Sequence, residues 1–125
     1  MNAEKTREFR LKQSSEKIDI SKRLLMKGDC KNAVVQAYLS LFYSVRLLLL
    51  DKNEDSDDFN RIVELARKYF QPSGWLSVDI GTMLEKGRDY HDSLTNNCLG
   101  DITQNETKGF IEAAEKIRES IVKSF

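Results

Sequence analysis

Ala33-Val-Val-Gln-Ala-Tyr-Leu-Ser-Leu-Phe-Tyr-Ser-Val-Arg-Leu-Leu-Leu-Leu50 reads as a helix with almost no polar side. Val34, Ala37, Tyr38, Leu41, Phe42, Val45, Leu48 and Leu49 recur at i, i+3, i+4, i+7 spacing and form one broad stripe. The opposite side carries Val35, Leu39, Tyr43, Leu47 and Leu50, so it is not solvent-like either. A helix apolar all round has to be covered on every side, by its own bundle or by a second copy of the chain. Only Gln36, Ser40, Ser44 and Arg46 interrupt it. A lone guanidinium in such a helix is either paired with a structural anion or part of a site.

Outward from this helix the pattern stays helical. A first helix is expected from about Glu4 or Ser14 to Lys27, with Ile18, Ser21, Leu24 and Leu25 inward. Gly28 then Asp29 reads as a helix stop followed by an N-cap, which folds the first two helices into an antiparallel hairpin. Asp55, Ser56, Asp57 and Asp58 suit the positive start of a third helix, whose stripe is Phe59, Ile62, Val63, Ala66, Tyr69 and Phe70. Gln71-Pro72-Ser73-Gly74 breaks the pattern. A fourth helix is expected from about Trp75 to Asn96, burying Leu76, Ile80, Met83, Leu84 and Leu94, with Gly81 and Gly87 permitting close helix approach. Thr103 with Glu106 forms a capping-box pattern ahead of a last helix that presents Phe110, Ala113, Ala114, Ile117, Ile121 and Phe125. The expected fold is all-α, one up-and-down bundle of about five helices over residues 1–125.

The chain of 125 residues is long enough for one buried core. Lys+Arg and Asp+Glu both number 20, so a nucleic-acid contact would need a local basic patch rather than a global field. Cys30 and Cys98 lack CxxC spacing and only His91 could join them, so no metal site is expected and the thiols read as reduced. The first 17 residues hold Lys5, Arg7, Arg10, Lys12 and Lys17 without an apolar run, and the second helix is interrupted too often for a membrane span. A cytoplasmic protein without a membrane role is the expectation. The basic N-terminal stretch reads as a solvated, frayed helix end, with RNA or partner contact as the alternative. The acidic run Asp51 to Asp58 lacks calcium-loop spacing and reads as capping and solvation.

Several segments together resemble the small prokaryotic form of the HEPN domain (higher eukaryotes and prokaryotes nucleotide-binding). Ser21-Lys-Arg-Leu-Leu-Met-Lys-Gly-Asp29 looks like the end of that family's first helix. Ala33, Ala37-Tyr-Leu-Ser-Leu-Phe42 and Arg46-Leu-Leu-Leu are similar to its core helix; Leu84 with Asp89-Tyr90 is similar to its fourth helix, and Phe110 to Ile117 to its last. The resemblance covers about residues 14–125 and rests on order and spacing. It implies a bundle that often dimerises and is frequently paired with a minimal nucleotidyltransferase in toxin–antitoxin-like modules. Some members are metal-independent ribonucleases with Arg, four to six residues, then His on one helix. There an imidazole moves the 2′-hydroxyl proton while a guanidinium binds phosphate.

The sole histidine here is His91, and the positions that would carry the matching Arg hold Leu84, Glu85 and Lys86. The strict motif is absent. Arg88 lies one helical turn before His91 and Lys86 five residues before it, so a degenerate basic pair is geometrically open. Lys is a poor substitute for a bidentate guanidinium, and Glu85, where the resemblance puts another Arg, would repel a phosphate. His91 reads either as a partly buried residue hydrogen-bonded inside the bundle or as a proton-transfer group. Arg46 reads either as the partner of a carboxylate such as Asp89 or as a phosphate ligand. Arg46, Lys86, Arg88, Tyr90 and His91 are the candidate nucleotide- or RNA-binding residues, expected to converge in one basic pocket. His91 and Arg88 are the only candidates for catalysis.

Three functions follow. The leading one is a non-catalytic HEPN-like module that binds a nucleotidyltransferase partner, and with it nucleotide or RNA, needing no cofactor. The second is a ribonuclease toxin with a degenerate pair. The third is a homodimeric helical scaffold, since the excess apolar surface of the second helix calls for a homodimer.

Overall fold

A computed structural model describes residues 3–70, 79–96 and 102–123, the side chains of 93–96 excepted. Of the described residues 86% are helical and none lies in a strand, so the fold is an all-α five-helix bundle. The helices are α1 (Ala3–Met26), α2 (Cys30–Asp51), α3 (Phe59–Tyr69), α4 (Ile80–Asn96) and α5 (Gln104–Val122). The expected helix over Trp75 to Val78 lies outside the described residues, as do the side chains of Leu76, Leu94, Cys98 and Phe125.

Local chemistry sets each turn. Gly28 adopts φ +80°, and the bonds Gly28 N–H to Leu25 O (2.9 Å) and Asp29 N–H to Leu24 O (3.0 Å) close α1 in a Schellman turn. The Asp29 carboxylate then accepts from the Asn32 N–H and caps α2. At the other end of α2, Asn53 takes the left-handed role at φ +58°, with Glu54 N–H bonded to Leu49 O at 2.9 Å. Asp58 caps α3, and Thr103 and Glu106 form the expected capping box on α5.

Helix α2 is the hub and touches all four others, while α1 also packs on α5 and α3 on α4. Ala33, Val34, Ala37, Leu41, Val45, Leu47 and Leu49 are essentially inaccessible, and no residue from Cys30 to Leu50 is fully exposed. The bundle therefore covers most of α2, with Leu39, Phe42, Tyr43, Leu48 and Leu50 partly buried. By length and composition α2 is apolar enough to cross a membrane, but 67% of its most apolar window is buried inside the bundle.

The α1–α2 seam is lined by serines. Ser14, Ser21, Ser40 and Ser44 are fully buried, and each hydroxyl donates to a backbone carbonyl, Ser40 to Ser14 O at 2.6 Å across the seam. Arg118 of α5 donates to the Ser14 hydroxyl at 3.0 Å, joining a third helix to the seam. Small hydroxyls with local acceptors let the backbones approach without leaving buried donors unmet.

Gly87 is where α4 crosses α2: a Cβ there would stand 2.5 Å from the Tyr38 Cβ. Gly81 does a different job. The Arg67 side chain occupies the space a Cβ would need, lying across the start of α4 toward Asp79 and Glu85.

Candidate functional site

The candidate residues divide between two faces of α4. Residues 86 and 90 are one turn apart, and 88 lies on the far side of the helix from both. Lys86 reaches Glu106 of α5 at 3.9 Å. Tyr90 is buried, and its hydroxyl pKa is raised by burial and then by the charge of Glu106. Lys86 and Tyr90 thus face α5 and leave the predicted cluster. Arg88 and His91 face α2 and α3.

On that second face a seam of rings runs across four helices. Phe9 of α1 meets Tyr43 edge-on at 6.0 Å between centroids, and Tyr43 meets Phe42 at 6.3 Å. Phe42 packs against Tyr38 at 5.9 Å and stacks on Phe59 at 6.3 Å, and Tyr38 lies 6.2 Å from the His91 ring. Two guanidiniums sit on it: Arg46 5.8 Å from the Phe42 centroid, Arg88 4.3 Å from that of Phe59. Arg46, Arg88 and His91 are therefore linked through three side chains, Phe42, Phe59 and Tyr38, rather than scattered.

Arg46 is not paired with Asp89. Its Nε donates to Asp55 Oδ1 at 3.0 Å, and Nη2 donates to Asp55 Oδ2 and to Asp57 Oδ1, both at 3.2 Å. The turn at Asn53 sends the acidic segment back alongside α2, which sets Asp55, nine residues on, against Arg46. Asp55 also takes Arg10 Nη2 at 2.8 Å, and Arg10 Nη1 donates to the Arg46 carbonyl at 3.0 Å. Burial opposes both charges, yet the arginines hold the Asp55 carboxyl below its ordinary range. Asp55 and Asp57 likewise raise the pKa of Arg46 against the effect of its own burial. The acidic run is thus more than capping and solvation. The N-terminal stretch is helical from Ala3 onward and largely exposed, and Arg10 and the Arg7–Asp51 pair (3.5 Å) bring it against the far end of α2.

His91 is not tucked into the bundle. Its side chain is half exposed, and Nδ1 lies 3.3 Å from its neighbour's Asp92 Oδ1. The period that aligned it with Leu84 and Gly87 sets it over the edge of Tyr38, where the core ends. Burial pushes the Tyr38 hydroxyl up to about 12; Arg88 works against this and Asp92 with it.

Beside the ring seam lies an open trough of about 580 Å³ between α3 and α4. Phe59 and Val63 contribute its apolar lining, Arg67 and Arg88 its cations, and Glu64, Glu85, Asp89 and Asp92 its carboxylates. Two guanidiniums face four carboxylates, so the expected basic pocket is an acidic one. Arg67 is held by Asp79 (2.8 Å) and Glu85 (3.0 Å), and Arg88 reaches Asp92 at 3.9 Å. Asp89 has no ion pair or hydrogen bond among the described residues. No group of three or more His, Cys, Asp or Glu among the described residues could hold a metal ion.

Sequence reasoning missed Asp55 and Asp57 as the partners that occupy Arg46, Arg10 as the second arginine on Asp55, and Phe59 as the seat of Arg88. Phe59 carried a signal, as an aromatic at the first position of a helix whose cap is Asp58. No protein-family model matches this chain, and no curated protein matches it.

Proposed function

We propose that the chain is a HEPN-like, non-catalytic helical module that acts by holding a protein partner. The partner is of the minimal nucleotidyltransferase kind that the resemblance implies, in a toxin–antitoxin-type pair. One observation carries this reading: Arg46, Arg88 and His91 each already lie within 3.9 Å of a carboxylate oxygen of their own chain. A phosphate approaching Arg88 would also meet Asp89, Asp92 and Glu85. Metal-independent RNA cleavage asks for a guanidinium released to the phosphate and an imidazole aimed at the 2′-hydroxyl. Here the imidazole shares Asp92 with Arg88.

The test is affinity purification of the tagged chain from its own cells. A stoichiometric nucleotidyltransferase is the expected companion, and isolation of the bare chain overturns the reading. Nucleotides separate the alternatives in a melting experiment. A ligand at about 100 times its dissociation constant stabilises by about 2.7 kcal/mol. A shift of that size with a nucleoside triphosphate, abolished by Arg88→Ala, would favour nucleotide binding at this face.

A further inference from the structure

We infer that the outward line of α2 is a pairing seam for a second copy of this chain, with the two α2 helices antiparallel. The inference stands apart from the partner-binding reading above. Helices α1, α4 and α5 pack against the other sides of α2. Between Asn32 and Arg46 the residues they leave partly open are Asn32, Gln36, Leu39, Phe42, Tyr43 and Arg46, and Leu50 extends the same line. Its steps alternate four and three residues, the spacing with which one helix receives another, over a length of about 27 Å. What fills the line separates it from a solvated face. The outward side of α5 carries Lys108, Glu112, Lys116 and Glu119, whereas that of α2 carries one charge, Arg46. Phe9, the only fully exposed aromatic among the described residues (48%), lies on Tyr43 at its edge.

The order of residues along the line favours a copy of itself as the cover. An antiparallel pair with its two-fold axis between positions 39 and 43 sets Leu39 against the partner's Tyr43, and Gln36 against the partner's Arg46. Symmetry makes each contact twice. Gln36 Oε1 is closed off from solvent and has no donor among the described residues of its own chain. Turning the amide outward presents that oxygen to the partner's Arg46 at little torsional cost. The charge of Arg46 is spent on Asp55 and Asp57, but those bonds use Nε and Nη2 and leave Nη1 as a donor. A stable dimer covers about 800 Å² on each copy, more than one helix line supplies. The flanks must therefore join, and Phe9 beside Tyr43 then closes over the partner's Leu39.

Sedimentation equilibrium of the purified chain measures the association, and circular dichroism follows the fold of each variant. A dimer at micromolar concentration is expected. Leu39→Lys should abolish it. Gln36→Ala, which removes only an amide, should leave the fold intact and weaken the dimer about tenfold, as loss of two hydrogen bonds does; it decides the matter if Leu39→Lys fails to fold. Lys116→Ala on α5 should change nothing. A photo-crosslinking benzoylphenylalanine in place of Tyr43 should attach to the partner's Leu39 segment. A chain that stays monomeric, or a dimer indifferent to Gln36→Ala, would overturn the proposal. So would a crosslink joining position 43 to the partner's position 43, which marks a parallel pair. A monomer whose position 43 crosslinks instead to a copurified nucleotidyltransferase would also overturn it, while leaving the partner-binding reading standing.

Discussion

Asp55 lies between two arginines from different helices, 2.8 Å from Arg10 of α1 and 3.0 Å from Arg46 of α2. The pair of contacts ties the segment joining α2 to α3 down onto the N-terminal half of α1. It also removes Arg46 from the list of cations free to meet a ligand. Side-chain exposure near one fifth places the cluster between surface and core, where charge-assisted bonds count for more than at the surface.

Asp55→Asn is expected to lower stability by about 1–2 kcal/mol, read from urea unfolding. Asp57→Asn, whose carboxylate is fully exposed, should stay close to wild type. Equal losses for the two would show that the second contact of Arg46 matters as much as the first.

The Asp55 carboxyl is held below its ordinary pKa in the folded chain, so the unfolded state binds its proton first as pH falls. Its stabilisation is fully present above the unfolded value of about 4 and is lost as pH drops through the lower folded value. Stability of wild type relative to Asp55→Asn should therefore be constant from neutrality to about pH 5 and shrink below about pH 4. A difference that grows on acidification would contradict the assignment.

Gly87 admits the Tyr38 side chain against the α4 backbone, so Gly87→Ala should cost about 1–3 kcal/mol through forced separation of α2 and α4. Gly109, with open space around its Cβ position, is the control. Gly109→Ala should raise stability by about 0.5–1 kcal/mol from helix propensity alone. Matching effects at the two sites would rule out the close crossing.

The five helices were legible because each carries its own period, cap or breaker. Gly28–Asp29, Asp58 and Thr103–Glu106 act within a few residues, and local chemistry is what a single sequence displays. The partner of Arg46 was not legible: choosing Asp55 over Asp89 depends on a left-handed Asn53 turning the chain back on itself. The split of the candidate site was half visible. Helical spacing alone sets Lys86 and Tyr90 away from Arg88, but only packing shows that α5 lies on one side and the ring seam on the other. His91 misled for a related reason. Its register matches the buried line of α4, yet α2 presents Tyr38 there and the core stops short.

Asn53 offers a narrow check on that turn. Asn53→Gly should be neutral or slightly stabilising, whereas Asn53→Val should lose about 1–2 kcal/mol because a β-branched residue resists φ +58°. Thermal melts of both variants decide it, and a tolerant Val would mean the α2–α3 turn is not built as described.

The central claim, that the cations of the ring face are spent within the chain, is tested most directly by incubating purified protein with single-stranded and structured RNA in chelator. The account predicts no cleavage beyond that of buffer, and the same result for His91→Ala and Arg88→Ala. Cleavage by the wild-type chain that disappears in either variant would contradict it.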